Sequence, residues 1–131
     1  RTSKTCSKGL KSMDKNPEVA NIVKIKFRLD YFMSGWYDYE LTSSRFICNA
    51  FSNENNREID PLEFHEICSK LVQDIKVLNW KKNYSDPNIL DGYGWKIEIF
   101  FDNGNKFSSG GLNKKPPRFN KMVRLFEDIL M

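Results

Sequence analysis

The chain has 131 residues, 40% of them hydrophobic, 14% aromatic and 29% charged, enough apolar side chain for one packed core and enough charge for a solvated exterior. That balance excludes a disordered chain, and the apolar stretch 95–101, interrupted by Lys96 and Glu98, falls far short of the roughly 20 residues of a membrane-spanning helix. The net charge of +4 resides in residues 1–16, where Arg1, Lys4, Lys8, Lys11 and Lys15 stand against Asp14, leaving 16 basic and 16 acidic residues elsewhere; so neutral a body argues against a dedicated nucleic-acid groove.

Residues 1–20 read as a flexible basic arm closed off by Pro17, and residues 21–131 as a single domain. From Val23 the strict alternation of Val23, Ile25, Phe27, Leu29 and Tyr31 with Lys24, Lys26, Arg28 and Asp30 predicts a half-buried strand whose odd-numbered side chains look inward. Met33, Ser34 and Gly35 suit a three-residue hairpin loop with Gly35 in the left-handed conformation, returning into a strand over 36–43. Pairing across that loop sets Tyr31 opposite Tyr37, Leu29 opposite Tyr39 and Phe27 opposite Leu41 on the inner face. On the outer face it sets Phe32 opposite Trp36, Asp30 opposite Asp38 and Arg28 opposite Glu40. A third strand over 45–51 completes a meander, and the polar, Asn-rich segment 52–59 reads as a connection.

Asp60 as N-cap, Pro61 at the first helical position and Glu63 in a capping-box-like place predict a helix start. Phe64, Ile67, Cys68, Leu71, Ile75 and Leu78 supply its apolar stripe, and its end is expected at 78–80. Residues 81–94 carry the turn signals Asp86-Pro87-Asn88 and Asp91-Gly92. Trp95, Ile97, Ile99 and Phe101 then alternate with Lys96, Glu98 and Phe100, and Asp102-Asn103-Gly104 predicts a hairpin turn into a fifth strand, 105–109, that pairs Phe107 with Ile99. Gly110 and Gly111 break that strand. Pro116 and Pro117 lead into a second helix with the stripe Phe119, Met122, Val123, Phe126, Ile129 and Leu130. The expected fold class is α+β: an antiparallel sheet of about five strands in the order β-β-β-α-β-β-α, with two helices packed on one face.

The run Asp91-Gly92, Trp95, Asn103-Gly104, Ser109-Gly110, Asn113, Pro117 and Phe119 resembles a group of small uncharacterised bacterial proteins, many from gut and low-GC species. These carry a DG-x-x-W strand and a G-x-N-x-x-P-x-F segment. The resemblance covers the last third of the chain, with one residue more than the pattern between Gly110 and Asn113. It implies an α+β fold and a bacterial origin, and no particular activity. The scarcity of alanine, present only as Ala20 and Ala50, beside many Lys, Asn, Ile and Phe is the bias of AT-rich codons and points to a bacterial or phage source. Three irregularly spaced cysteines, Cys6, Cys48 and Cys68, make a poor disulfide framework and suit a reduced, cytoplasmic setting. The first stretch, opening on Arg1 without an apolar h-region, reads as a trimmed end.

Four constellations could carry chemistry. Asp30 and Asp38, facing each other across the hairpin, would raise one another's pKa and serve as an acid–base pair or hold a cation; with Lys26, Arg28 and Glu40 beside them they also read as an ordinary charged sheet face. His65 lies one helical turn before Cys68, but a metal site needs three or four ligands, and the preferred reading is a surface histidine and a core thiol. No metal or other cofactor is expected. Ser108-Ser109-Gly110-Gly111 followed by Lys114 and Lys115 is similar to an anion cradle, but the preferred reading is a plain strand end and loop. Lys106, Lys114, Lys115, Arg118, Lys121 and Arg124 form a basic run suited to an acidic protein surface or a phosphate backbone.

Phe32 and Trp36, pointing outward beside charges, have the composition of a protein-binding patch. The lack of a catalytic set therefore leads to a non-enzymatic protein-binding or regulatory module of bacterial or phage origin, its partner another protein. The residues expected to bind are Phe32, Trp36, Asp38, Lys114, Lys115 and Arg118. The alternatives are a nucleic-acid-binding module using residues 106–124 and a hydrolase-like enzyme using the Asp30 and Asp38 pair.

Overall fold

The computed structural model describes residues 19–31, 35–50, 53–86, 88 and 92–130. Seven strands, rather than five, form one sheet: β1 (Ile22–Tyr31), β2 (Gly35–Thr42), β3 (Arg45–Ala50), β4 (Asn53–Glu58), β5 (Asn83–Ser85), β6 (Tyr93–Phe101) and β7 (Lys106–Leu112). Their spatial order is β4-β3-β2-β1-β6-β7-β5. Every pairing is antiparallel except that of β5 with β7. Two helices among the described residues, α1 (Pro61–Ser69) and α2 (Phe119–Ile129), complete an α+β fold.

Both additional strands lie at the sheet's edges, which explains why alternation does not reveal them. The segment expected as a polar connection is β4, whose Asn53, Glu54, Asn55, Asn56 and Glu58 are exposed; an edge strand with few apolar neighbours shows no period, and polar residues suit an edge that must not recruit other strands. β5 spans three residues inside the expected linker and is held by Gly110 N–H donating to Lys82 O at 3.1 Å and Asp86 N–H donating to Leu112 O at 2.9 Å. That close pairing needs Gly111, where a Cβ would meet the Tyr84 carbonyl, while a Cβ at Gly110 would crowd Trp95 O of β6; the glycines expected to break β7 instead lie within it.

In β1, Ile25, Phe27 and Leu29 are buried while Lys26 and Arg28 are exposed. Strict alternation fails at both ends. A bulge between Ile22 and Lys24 buries Ile22 and turns Val23 out to 46% exposure, because one unpaired residue reverses the pleat. The β1–β2 register slides by two relative to the sequence expectation: Leu29 faces Tyr37, Phe27 faces Tyr39 and Ile25 faces Leu41, while Asp30 faces Trp36 and Arg28 faces Asp38. A slide of two preserves every face and changes every partner. Gly35, with φ 118°, pairs with Tyr31 as the first residue of β2, where the sequence expectation places it in the loop. Phe32 lies outside the described residues.

Asp60 caps α1 through Oδ1, which accepts from Glu63 N at 2.8 Å, and Arg57 holds the Glu63 carboxylate with bonds of 2.7 and 3.1 Å. The helix does not run intact to 78–80. It widens into a π-helical turn over Lys70–Asp74, in which Ile75 N–H donates to Lys70 O five residues back at 2.9 Å, and Lys76 at φ 62° ends it before a short 3-10 turn, Val77–Asn79. Widening allows Leu71, Val72 and Ile75 all to be buried.

Phe126 of α2 packs on Phe27, Tyr39 and Phe46, and Phe119 packs on Phe27, Trp80 and Trp95. The buried side chains of α1 join the same apolar cluster as the inward residues of β1, β2, β3 and β6. Val19, within the stretch read as an arm, is buried in that cluster too; residues 1–18, Cys6 included, lie outside the described residues. No described helix is long and apolar enough to cross a membrane.

Candidate functional site

Two surfaces compete for the role of a site, and the pleat separates them. The outer face of the sheet carries Trp36 and Asp38. Asp38 Oδ2 accepts from Arg28 Nη1 at 3.2 Å, and the same guanidinium lies 5.0 Å from the Trp36 ring centre. Asp38 is therefore matched to a cation, and Asp30 sits one row away opposite Trp36. The expected facing pair of carboxylates does not form, because the two-residue slide inserts Arg28 where Asp30 was expected. Elsewhere on this face Glu98 accepts from Lys106 Nζ at 2.9 Å and has Lys96 Nζ at 3.7 Å. The hydrogen bond from Lys106 holds the Glu98 carboxyl below the usual carboxylate range. Lys24 and Lys106 lie over the Phe100 ring at 5.2 and 5.7 Å. On this face Asp38 and Glu98 are thus matched to cations, and the rings of Trp36 and Phe100 are covered by the chain's own cations.

The basic run of residues 106–124 is divided, with Lys106 set apart from the rest. Lys106 belongs to the outer face, while Lys115 lies over Tyr93 and Phe119 at 5.3 and 6.0 Å. The Lys114 carbonyl accepts from Trp95 Nε1 at 2.8 Å. Arg118, at φ 65°, is the residue from which α2 starts. Lys121 and Arg124 line a shallow cleft of about 220 Å³ shared with Lys70, Asp74 and Asp128, a mixture of both charges. Nor do residues 108–111 form an anion cradle: they lie inside β7, where Gly110 N–H is committed to Lys82 O and the buried Ser109 hydroxyl donates to Lys81 O. Among the described residues no three or more His, Cys, Asp and Glu side chains gather as a metal would require. His65 is exposed whereas Cys68 is wholly buried, and that burial lifts its thiol to about 12.

The inner face offers a different arrangement at its hairpin end. Register aligns Leu29, Tyr37 and Ala50 in one row and Tyr39, Cys48 and Asn55 in the next. Phe126, Glu127 and Leu130 at the C-terminal end of α2 line a depression together with these rows. The result is a groove of about 480 Å³ walled by Tyr31, Tyr37 and Tyr39, floored by Leu29, Ala50 and Phe126, and rimmed by Glu127 and Leu130 of α2 with Cys48 and Asn55 on the far side. Tyr37 and Tyr39 stack nearly parallel, 6.4 Å apart, and Tyr31 leans toward Tyr93 at 6.4 Å. Tyr31 and Leu130 at the mouth are 40% and 38% exposed, against 5% for Tyr39 inside.

The electrostatics of this groove are simple. Burial first, and the Glu127 charge after it, push the Tyr31 phenol above its ordinary value. Tyr39 is raised more strongly, by burial first and then by Cys48 and Glu127. Burial, then the charge of Asp38, raises the Cys48 thiol. These phenols and this thiol thus stay neutral at neutral pH, leaving Glu127 as the only Asp, Glu, Lys or Arg among the lining residues.

Inward placement of Tyr31, Tyr37 and Tyr39 is legible in the sequence, but as core packing. Cys48, Asn55 and Glu127 are not singled out there. One signal was present: three inward positions in a row of hairpin aromatics carry hydroxyls, which need water or a partner, where phenylalanine would suffice for a closed core. No family model matches the chain, and no curated protein matches it either.

Proposed function

We propose that this domain is a non-enzymatic binding module, of bacterial or phage origin, whose partner is another protein and whose contact surface is the tyrosine groove between β1, β2 and the last turn of α2. The observation that carries the reading is the groove itself: an open, largely apolar depression of about 480 Å³ with three tyrosines and one carboxylate. Ligand sites are concave, mainly apolar and marked by a few placed polar groups, and tyrosine is enriched where proteins meet. The thiol of Cys48 lacks what a nucleophile requires, since its pKa is raised rather than lowered, and the lone histidine is on α1, outside the groove. The free thiols of Cys48 and Cys68 fit a reduced, cytoplasmic setting.

The outer face with Trp36 and Asp38, and the residues Lys114, Lys115 and Arg118, are weaker candidates, because each already serves an internal contact or a backbone turn. A nucleic-acid role through residues 106–124 would have to do without Lys106, which pairs with Glu98, and hydrolysis through Asp30 and Asp38 loses its facing pair. Affinity capture with the purified domain separates these surfaces: Tyr31→Ala is expected to lose most of the captured partner and Trp36→Ala to keep it. Capture unchanged in the Tyr31 variant and lost in the Trp36 variant would return the contact to the outer face.

A further inference from the structure

We propose that the groove takes the side chain of a lysine or arginine carried on a segment of the partner protein, with the cationic head at Glu127 and the aliphatic stem along Leu130 and Tyr31. This rests on the reading of the groove as the contact surface and names what it selects.

The case starts from rings that the chain covers itself: Arg28 lies over Trp36 at 5.0 Å, Lys24 and Lys106 over Phe100 at 5.2 and 5.7 Å, and Lys115 over Tyr93 at 5.3 Å. The electron-rich face of such a ring attracts positive charge. Among the described residues no cation lies over Tyr31, although it is 40% exposed. Three acidic groups are likewise matched: Asp38 with Arg28, Glu63 of α1 with Arg57, and Glu98 with Lys96 and Lys106. Glu127 has no such ion pair among the described residues, yet it stands close enough to Tyr31 and Tyr39 to raise both phenols. An uncovered ring and an uncompensated carboxylate in one groove are two halves of a cation site.

The floor decides which cation. A small inorganic ion would gain nothing from Leu29, Ala50, Phe126 and Leu130, and the single carboxylate falls short of the six or more oxygen ligands that calcium collects. Lysine and arginine carry an apolar stem of three or four methylenes behind the charge, which matches an apolar trough ending at one carboxylate. The mouth is open at Tyr31 and Leu130, so a side chain can enter while its backbone remains outside, as a segment of another protein would present it.

The test uses the full chain and reports on the tyrosine ring signals by NMR. The probes are acetyl-Gly-Lys-Gly-amide, the same peptide with norleucine, which keeps the stem and lacks the ammonium, and butylammonium chloride, which keeps both and lacks the peptide. The lysine peptide is expected to shift the Tyr31 signals saturably, with a dissociation constant of roughly 1 mM, at least about fivefold tighter than either other probe. Glu127→Gln is expected to bring the lysine peptide down to the norleucine value, while Glu98→Gln on the outer face leaves it unchanged. Equal binding of the norleucine peptide, or an unaffected Glu127→Gln protein, overturns the cation assignment while leaving the groove as a contact surface. Butylammonium as tight as the lysine peptide overturns the protein segment as source, and shifts with no probe overturn the inference altogether.

Discussion

Gly111 shows how a single missing side chain decides an edge of the sheet. A Cβ built there would collide with the carbonyl oxygen of Tyr84, which is backbone and cannot swing aside. The absence of a side chain is therefore what lets β5 lie parallel against β7, with Asn83, Tyr84 and Ser85 opposite Gly110, Gly111 and Leu112. Gly111→Ala is expected to push β5 off and cost about 1–3 kcal/mol, the range for overpacking a fitted site, seen as a lower urea midpoint. Hydrogen exchange should quicken first at Asp86 and Gly110, whose N–H groups span this contact. An unchanged midpoint would mean that β5 is not held this way. Read as sequence, Gly110-Gly111 signals only a break, because what Gly111 makes room for, Tyr84, lies 27 positions earlier in the chain.

At the scale of elements, starts are more legible than ends. The Asp60-Pro61 start of α1 depends on neighbours within three residues, and the capping bond from Asp60 to Glu63 N is as expected. Its end depends on tertiary packing: the π-helical turn and the left-handed Lys76 arise where Leu71, Val72, Ile75 and Val77 must all reach one core. A left-handed conformation costs an L-residue with a Cβ roughly 1–2 kcal/mol, and glycine nothing comparable. Lys76→Gly is accordingly expected to stabilise the protein by about 0.5–1 kcal/mol, after the loss of the exposed bond from Lys76 Nζ to Gln73 O at 3.2 Å. A chemical denaturation curve checks it; a drop in stability would show that Lys76 is held for its side chain. The first hairpin teaches the same lesson. Period-two alternation fixes which side chains look inward, but a slide of two residues changes no face, so the partners Arg28 and Asp38 emerge only when the turn closes at Gly35.

Across the whole molecule, the sheet divides an aromatic interior from a charged exterior. Phe27, Phe46 and Phe126 are fully buried together beside Tyr39 and Cys68. Such an interior tolerates neutral groups only, which sets the response to alkali. Burial lifts the Cys68 thiol from an ordinary 9.0 to about 12 and raises Tyr39 as well. Between pH 9 and 12 the unfolded chain has released the thiol proton and the folded chain has not, so unfolding gains with each step in pH. The stabilisation is complete below pH 9 and is lost as pH rises toward 12, at up to about 1.4 kcal/mol per pH unit for this one group. Cys68→Ala is expected to be less stable at neutral pH and to show a shallower fall between pH 9 and 10, measured by urea titration at each pH. An equal slope in the variant would place the alkaline sensitivity elsewhere.

By itself the sequence determined what is local: an α+β class, the inward phase of β1, β2 and β6, the capped start of α1 and the apolar stripe of α2, because period and capping are read from residues a few positions apart. Only the tertiary structure decided the two edge strands, the partner of Asp38, the placement of Lys106 beside Glu98 and the groove in which Tyr31 and Glu127 meet. Each of these joins residues distant in the chain whose approach follows from register and packing, and neither leaves a periodic mark on the sequence.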